Sequence, residues 1–302
     1  MLLNYHLLDV FTDTQMEGNP LAVVMKSDHL SDELMQKIAR EFALSETAFL
    51  SDPKAGRNTA GVRIFTPQTE LPFAGHPTIG TAVLLGLTLR ASAIRLEEKI
   101  GDVTCVMDKI SKRIGEAFFK LPLLPTQVGE APSNAKIASS LGLDETQIGF
   151  GEYQPAVYSS GVEYVLVPVA DQNALDQILL ERRGWADIYG YDDVAVYAFT
   201  PDQSNSEIDL CARMFDLTLP GIEDPATGSA AAALIGLLAK HSPAGTGQKN
   251  YILEQGVAMG RPSLIQLQVG MSDGVLIHAG IGGKAVLVGS GTLDLDMATY
   301  SN

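Results

Sequence analysis

The chain has 302 residues, 46% hydrophobic and 19% charged, and carries a formal net charge of −15 from 21 basic and 36 acidic side chains. That length favours two domains, the apolar content excludes extended disorder, and the negative charge disfavours a nucleic-acid partner. No apolar run reaches about 18 residues, so no membrane partner or span is expected, and Cys105 and Cys211 are too few for a disulfide framework. The opening Met1-Leu2-Leu3-Asn4-Tyr5-His6 lacks a basic segment and is soon broken by Asp9, so no signal peptide is expected and a reducing cytoplasm is the expected compartment.

Short runs rich in Val, Ile, Leu and aromatics, bounded by Gly, Pro, Asn or Asp, predict strands at 21–25, 61–65, 163–167 and 208–215. Between them, residues 31–43 place Leu34, Ile38 and Phe42 on one helical face, with Ser31 as N-cap and Asp32 and Glu33 in the first turn. A second amphipathic helix is predicted over 171–183. Segments 78–87 and 227–238 are apolar on every side, which places each helix inside a sheet rather than on a surface.

These two apolar segments expose a repeat. His76-Pro77-Thr78-Ile79-Gly80-Thr81-Ala82 and Asp224-Pro225-Ala226-Thr227-Gly228-Ser229-Ala230 share Pro, Gly, a hydroxyl residue and Ala at the same offsets, 224 − 76 = 148 residues apart. Arg63-Ile64-Phe65 and Arg213-Met214-Phe215 match upstream. The reading is a duplication: two similar halves, each a curved sheet around a central helix. Each copy ends a turn at a helix N-terminus, which offers free N–H donors and partial positive charge. Two such ends facing one cleft suit a small anion, most simply a carboxylate, and small residues (Gly75, Gly80, Thr81, Gly228, Ser229) leave the backbone open to it. The plainer reading is that Gly and Pro merely shape turns. On this offset His76 and Asp224 are counterparts, an imidazole and a carboxylate brought to one ligand. Glu46, in Leu44-Ser45-Glu46-Thr47-Ala48-Phe49, reads either as a partly desolvated general acid/base or as a surface carboxylate where a strand begins.

The chain resembles the phenazine-biosynthesis PhzF-like family, of the diaminopimelate-epimerase-like fold. The resemblance rests on Asp9-Val10-Phe11 with Gly18-Asn19-Pro20-Leu21-Ala22-Val23; Ser45-Glu46-Thr47-Ala48-Phe49; Arg63-Ile64-Phe65-Thr66-Pro67; Glu70-Leu71-Pro72-Phe73-Ala74-Gly75-His76-Pro77; Glu223-Asp224-Pro225-Ala226-Thr227-Gly228-Ser229-Ala230; and Glu254-Gln255-Gly256 before Gly260-Arg261-Pro262-Ser263. It implies an α+β fold of two pseudo-symmetric domains, each a strongly bent, mostly antiparallel sheet wrapped around a central apolar helix. Residues 1–120 form the N-terminal lobe, completed by about 284–302, and 121–283 form the C-terminal lobe. It further implies an isomerase that moves a hydrogen between carbons of a small carboxylate such as a dihydro-hydroxyanthranilate, with no metal or organic cofactor, commonly as a homodimer. The acid/base glutamate falls on Glu46. Substrate binding falls on Asn19, Ser45, His76, Gly80, Thr81, Asp224, Gly228 and Ser229.

Two other functions compete. A two-thiol racemase needs a Cys at each repeat turn, but Cys105 and Cys211 sit in strand-like runs. A non-catalytic binding protein on the same scaffold is disfavoured by the intact Glu46, His76 and Asp224 set. The five His show no metal-ligand spacing, and Gly280-Ile281-Gly282-Gly283 comes too late for a dinucleotide fingerprint. Gly270-Met271-Ser272-Asp273-Gly274 precedes the strand-like Val275-Leu276-Ile277 and so reads as a hairpin turn rather than a nucleophile elbow; His278 and Trp185 read as structural.

Overall fold

The computed structural model describes residues 1–296 apart from 192–193, 203, 220 and 243–244. It is mostly sheet with few helices. The chain divides into two compact units, Met1–Pro122 with the segment from Gly282 onward, and Leu123–Ile281. Of the segment 284–302 expected to complete the N-terminal lobe, 297–302 lie outside the described residues.

The first unit runs β1 (Leu2–Val10), β2 (Asn19–Val24), α1 (Asp32–Phe42), β3 (Glu46–Ser51), β4 (Ala60–Phe65), β5 (Glu70–Leu71), α2 (Gly75–Leu89), β6 (Ala93–Glu98), β7 (Gly101–Lys109) and β8 (Ile114–Lys120). The second runs β9 (Thr126–Glu130), α3 (Asn134–Leu141), β10 (Ala156–Ser159), β11 (Glu163–Pro168), α4 (Gln172–Gln177), α5 (Trp185–Tyr189), β12 (Val196–Pro201), β13 (Leu210–Phe215), β14 (Glu223–Asp224), α6 (Gly228–Lys240), β15 (Gly247–Gln255) and β16 (Ser263–Ser272). A last strand, β17 (Val275–Asp294), begins in the second unit and returns to the first, where its residues 285–294 pair antiparallel with β1.

The same pairings recur in each unit. In the first, β1–β2 and β3–β4 are antiparallel, β2–β3 and β4–β6 parallel, and β6–β7 antiparallel. In the second, β10–β11 and β12–β13 are antiparallel, β11–β12 and β13–β15 parallel, and β15–β16 antiparallel. A parallel pair demands a crossover, and α1 supplies it between β2 and β3. The Ser31 hydroxyl caps α1 by accepting from Leu34 N (3.3 Å), and Ala43 ends it in the left-handed region (φ 52°). Its apolar face buries Leu34, Met35 and Ile38 against Phe49 and Phe65.

The two apolar helices lie where their sequences predict. Every residue of α2 from Gly75 to Gly86 is buried, and the helix packs on β1, β2, β3, β6, β7 and β8; α6 packs on β9, β10, β11 and β16. A helix with no polar face needs strands around it, and each unit provides them. α2 begins at Gly75, earlier than the predicted 78, because a proline is tolerated in a first turn, where Pro77 sits.

The predicted helix over 171–183 is largely absent. Asp171 caps α4 through Ala174 N (2.8 Å), but the helix stops at Gln177. Beyond it, Leu179 N and Glu181 N donate to Leu141 O and Ser140 O of α3, so tertiary hydrogen bonds replace the helical ones. Asp273 and Gly274, at φ 49° and 76°, form the tight turn from β16 to β17, as the hairpin reading of that segment expects.

Candidate functional site

In the first unit, Glu46 opens β3 and His76 lies in the first turn of α2. Glu46 Oε2 comes within 3.2 Å of His76 Nδ1, with the two side chains 17% and 3% exposed. Burial holds the His76 ring at a pKa of about 3, so the contact joins a carboxyl group to a neutral imidazole and is not an ion pair. The approach is a close contact without hydrogen-bond geometry. Nε2 is buried and has no hydrogen-bond partner among the described residues. Asn19 is fully buried at the head of β2, opposite Val10, and Ser45 is half-buried just before β3.

Gly80 and Thr81 lie inside α2 rather than at its open end. A Cβ on Gly80 would fall 2.6 Å from Leu21 Cδ2 and 2.8 Å from Val10 Cγ2, so this glycine lets α2 approach β1 and β2, and its vacant side is filled by protein. Close backbone approach by a ligand there, as expected from the sequence, is not what its surroundings provide. Thr81 is completely buried. Of the N–H groups in the first turn of α2, Pro77 has none and Thr78 N bonds to Ala74 O (3.3 Å), which leaves those of Gly75 and His76 outside the helical ladder. Neither α2 nor α6 has a side-chain N-cap bond.

In the second unit, Asp224 ends β14, and Gly228 and Ser229 open α6. Asp224 is buried and its Oδ2 accepts from the Thr227 hydroxyl (2.5 Å). Gln255 stitches this turn together. Its Nε2 donates to Asp224 O (2.8 Å) and Thr227 Oγ1 (3.1 Å), and its Oε1 accepts from Thr227 N (3.1 Å) and the Tyr197 hydroxyl (3.0 Å). Burial, reinforced by Tyr164 and Asp224, holds the Tyr197 phenol well above its usual range, so it remains a donor. The Ser229 hydroxyl lies 2.7 Å from the Tyr164 hydroxyl.

The repeat register differs from the one the sequence suggests. Phe65 pairs with Glu70 where Phe215 pairs with Glu223, and the helices start at Gly75 and Gly228. Both 223 − 70 and 228 − 75 give 153, not 148. On this register the counterpart of His76 is Ser229, and that of Asp224 is Leu71. The sequence match misleads because Pro77 lies inside α2 whereas Pro225 precedes α6. The upstream Arg match does hold: Arg63 pairs with Glu70 (2.7 Å) and Arg213 with Glu223 (2.9 Å), each stacked over the Phe two residues on.

Sequence reasoning left Tyr164, Tyr197, Thr227 and Gln255 without roles. Gln255 stood within a quoted motif and Thr227 within the repeat. The tyrosines carried only a strand's alternation, which does not separate core from site. Cys105 and Cys211 are both buried and unbridged. Burial pushes the Cys105 thiol up, and burial with nearby Asp202 and Glu254 pushes Cys211 up to about 12, the opposite of what a thiolate base requires. Among the described residues no group of three or more His, Cys, Asp or Glu is arranged to hold a metal ion, and no helix is long and apolar enough to cross a membrane.

The family model of phenazine biosynthesis-like proteins (PhzC-PhzF) matches residues 8–291. An uncharacterised isomerase of Mesorhizobium japonicum is 40% identical over 299 residues, spanning 96% of this chain and 98% of its own. Trans-2,3-dihydro-3-hydroxyanthranilate isomerase of Pseudomonas fluorescens is 33% identical over 292 residues, spanning 97% of this chain and 99% of its own. The crystal structure of a PhzF-family phenazine biosynthesis protein of Bacillus anthracis superimposes with a TM-score of 0.85 at 22% identity, over 98% and 100% of the two chains. A hydroxyproline epimerase of Agrobacterium vitis shares the fold at a TM-score of 0.61 and 14% identity, over 98% and 93%. The protein is an isomerase. It belongs to the phenazine biosynthesis-like, PhzF family.

Proposed function

We propose that the protein isomerises a small cyclic carboxylate, trans-2,3-dihydro-3-hydroxyanthranilate or a close analogue, by moving a proton from one carbon to another, with Glu46 as the shuttle. The observation that carries this reading is the half-buried Glu46 carboxyl 3.2 Å from a neutral His76 ring. As carboxylate, Glu46 takes a proton from a saturated ring carbon. The released electron pair moves into the adjacent double-bond system, and the Glu46 carboxylic acid, its proton open to exchange with water, returns a proton at another carbon, so no net charge is left behind. A neutral imidazole suits the task. It packs against the carboxyl group without the full positive charge that would hold Glu46 too acidic to accept a proton from carbon. Its Nε2 accepts from an amino or hydroxyl group of the substrate.

The N–H donors opening α2 receive the substrate's carboxylate. The identity with the Pseudomonas fluorescens enzyme supports the substrate class. The test is proton NMR of trans-2,3-dihydro-3-hydroxyanthranilate incubated with the protein in D₂O. Turnover with deuterium entering at carbon supports the proposal. An unchanged spectrum at high protein concentration removes this substrate, and turnover by Glu46→Gln equal to wild type removes the mechanism.

A further inference from the structure

Glu98 is the last residue of β6. It is 7% exposed, and its Oε2 is buried without a hydrogen-bond partner among the described residues. Its Oε1 lies 2.8 Å from Thr78 Oγ1, and that same hydroxyl lies 2.8 Å from Ala74 O. A threonine hydroxyl has one proton to give. Within a helix its nearby acceptor is the carbonyl four residues back, here Ala74. With Glu98 ionised the single Thr78 proton is shared between Ala74 and Glu98, whereas a protonated Glu98 can donate to Thr78 and leave that proton to Ala74 alone. Burial points the same way, because a buried carboxylate with one oxygen unbonded costs more than a carboxylic acid so placed.

The chain of bonds ends at a useful place. Ala74 is the N-cap of α2, Thr78 closes its first turn, and His76 lies between them. We propose that Glu98 is a positioning residue: as a neutral acid donating to Thr78 it braces the turn that carries His76, and on ionisation it draws the Thr78 hydroxyl away from Ala74 and loosens that turn. The effect on catalysis rests on the reading of His76 and Glu46 given above; the protonation of Glu98 and its grip on the turn do not.

Glu98 borders a cavity also lined by Lys54, Arg63, Glu70, Lys99 and Asp102, of which Arg63 and Lys99 are tied to Glu70 and Asp102 to Arg57. Burial raises Glu98 to about 8, offset in part by Thr78. From β7 it meets Cys105, whose thiol is pushed higher still, partly by Glu98 itself. From α2 it meets Thr78, two residues beyond the neutral His76. The buried side chains of β4, Ala60, Val62 and Ile64, are apolar, as are Ile94 and Leu96 on β6. Lys99, the neighbour in sequence, is exposed and turned to Glu70 at 3.5 Å.

The test compares wild type with Glu98→Gln, which mimics the neutral acid, and uses two readouts on the full chain. The first is the His76 ring signal in nitrogen-15 NMR between pH 6 and 10. A shift centred near pH 8 in wild type and absent in Glu98→Gln is expected; a wild-type signal that stays flat overturns the proposal, whether or not any substrate turns over. The second is turnover of the dihydro-hydroxyanthranilate probe. Wild type should lose about tenfold in kcat from pH 7 to pH 9, as one group titrating near 8 dictates, while Glu98→Gln stays level. Equal alkaline losses in the two proteins also overturn it. Should Glu98→Gln fail to fold, the infrared carboxyl band of carbon-13 glutamate-labelled wild type decides. A protonated-acid band persisting to pH 7 and fading around 8 is expected, and its loss near pH 4.5 refutes the inference. Failure to turn over the probe, with the NMR shift intact, speaks against the substrate alone.

Discussion

Arg213 and Glu223 form a two-pronged pair, Nε to Oε1 and Nη2 to Oε2, both at 2.9 Å, with side chains only 14% and 15% exposed. The remaining guanidinium nitrogen, Nη1, donates to Leu175 O (3.1 Å) and Ile178 O (3.2 Å), closing the end of α4. One arginine thus ties β13 to β14, next to Asp224, and to the neighbouring helix. Its counterpart Arg63 grips Glu70 and also Asp32 (2.6 Å), but at 33% exposure, with Asp32 at 76%. The physics of the two pairs therefore differs. Breaking a buried pair leaves an uncompensated charge and costs about 3–5 kcal/mol; allowing for residual exposure and the acceptor that a glutamine retains, Glu223→Gln should cost about 2–3 kcal/mol. Glu70→Gln leaves Arg63 with Asp32 and with water, so about 1 kcal/mol or less is expected. At about 2–4 °C per kcal/mol for units of this size, the melting temperature should fall by about 4–12 °C for Glu223→Gln and by about 4 °C at most for Glu70→Gln. The assay is urea and thermal unfolding followed by circular dichroism. The second unit can also be read separately, since the chain's one tryptophan, Trp185, is fully buried there. Equal losses for the two variants, or a larger loss for Glu70→Gln, would refute the assignment of the buried clamp to Arg213.

Four further outcomes follow from the same reasoning. His76 is neutral in the fold with a pKa of about 3, whereas an unfolded histidine titrates near 6.5, so acid favours the unfolded chain. Between pH 6.5 and 3 stability should fall as pH falls, by about 2 kcal/mol at pH 5, and His76→Asn should remove that slope in urea titrations at several pH values. Glu98 works in the opposite sense: its proton is kept up to about pH 8, so it contributes a stability loss that builds from about pH 4.5 to 8, which Glu98→Gln should abolish. Gly256 has φ 82°, and a Cβ there would lie 2.4 Å from Arg261 O and 2.5 Å from Pro225 O, so Gly256→Ala should destabilise by more than about 2 kcal/mol, checked by urea midpoint. Iodoacetamide at pH 8 should leave both Cys105 and Cys211 unmodified in the native protein by mass spectrometry, with activity retained; rapid alkylation accompanied by inactivation would revive thiol chemistry.

Much of the fold was legible because its signals are local. The spacing of Leu34, Ile38 and Phe42 and the Ser31 cap defined α1, and the all-round apolar character of the two central helices required strands around them. What escaped the sequence is what depends on distant contacts. The α4 segment has helical periodicity, yet beyond Gln177 it bonds to α3 instead. The repeat was visible but its register was not, since a shared Pro-x-x-Gly pattern is weaker evidence than the pairing of Glu70 with Phe65 and Glu223 with Phe215. Glu46 and His76 were singled out separately, and only folding shows them 3.2 Å apart. Glu98 had a faint signal, a carboxylate at the inward position of β6 after Ile94 and Leu96, but its meaning comes from Thr78, twenty residues away in sequence.

The central claim is that the Glu46 carboxyl carries the proton between carbons. It is tested most directly by incubating wild type and Glu46→Gln with the proposed substrate in D₂O and following deuterium at carbon by NMR. Wild type should isomerise the compound, with deuterium appearing at the protonated carbon, while Glu46→Gln, still folded by circular dichroism and still binding the compound, should exchange and isomerise at least about a hundredfold more slowly. Isomerisation by Glu46→Gln at the wild-type rate would contradict the claim.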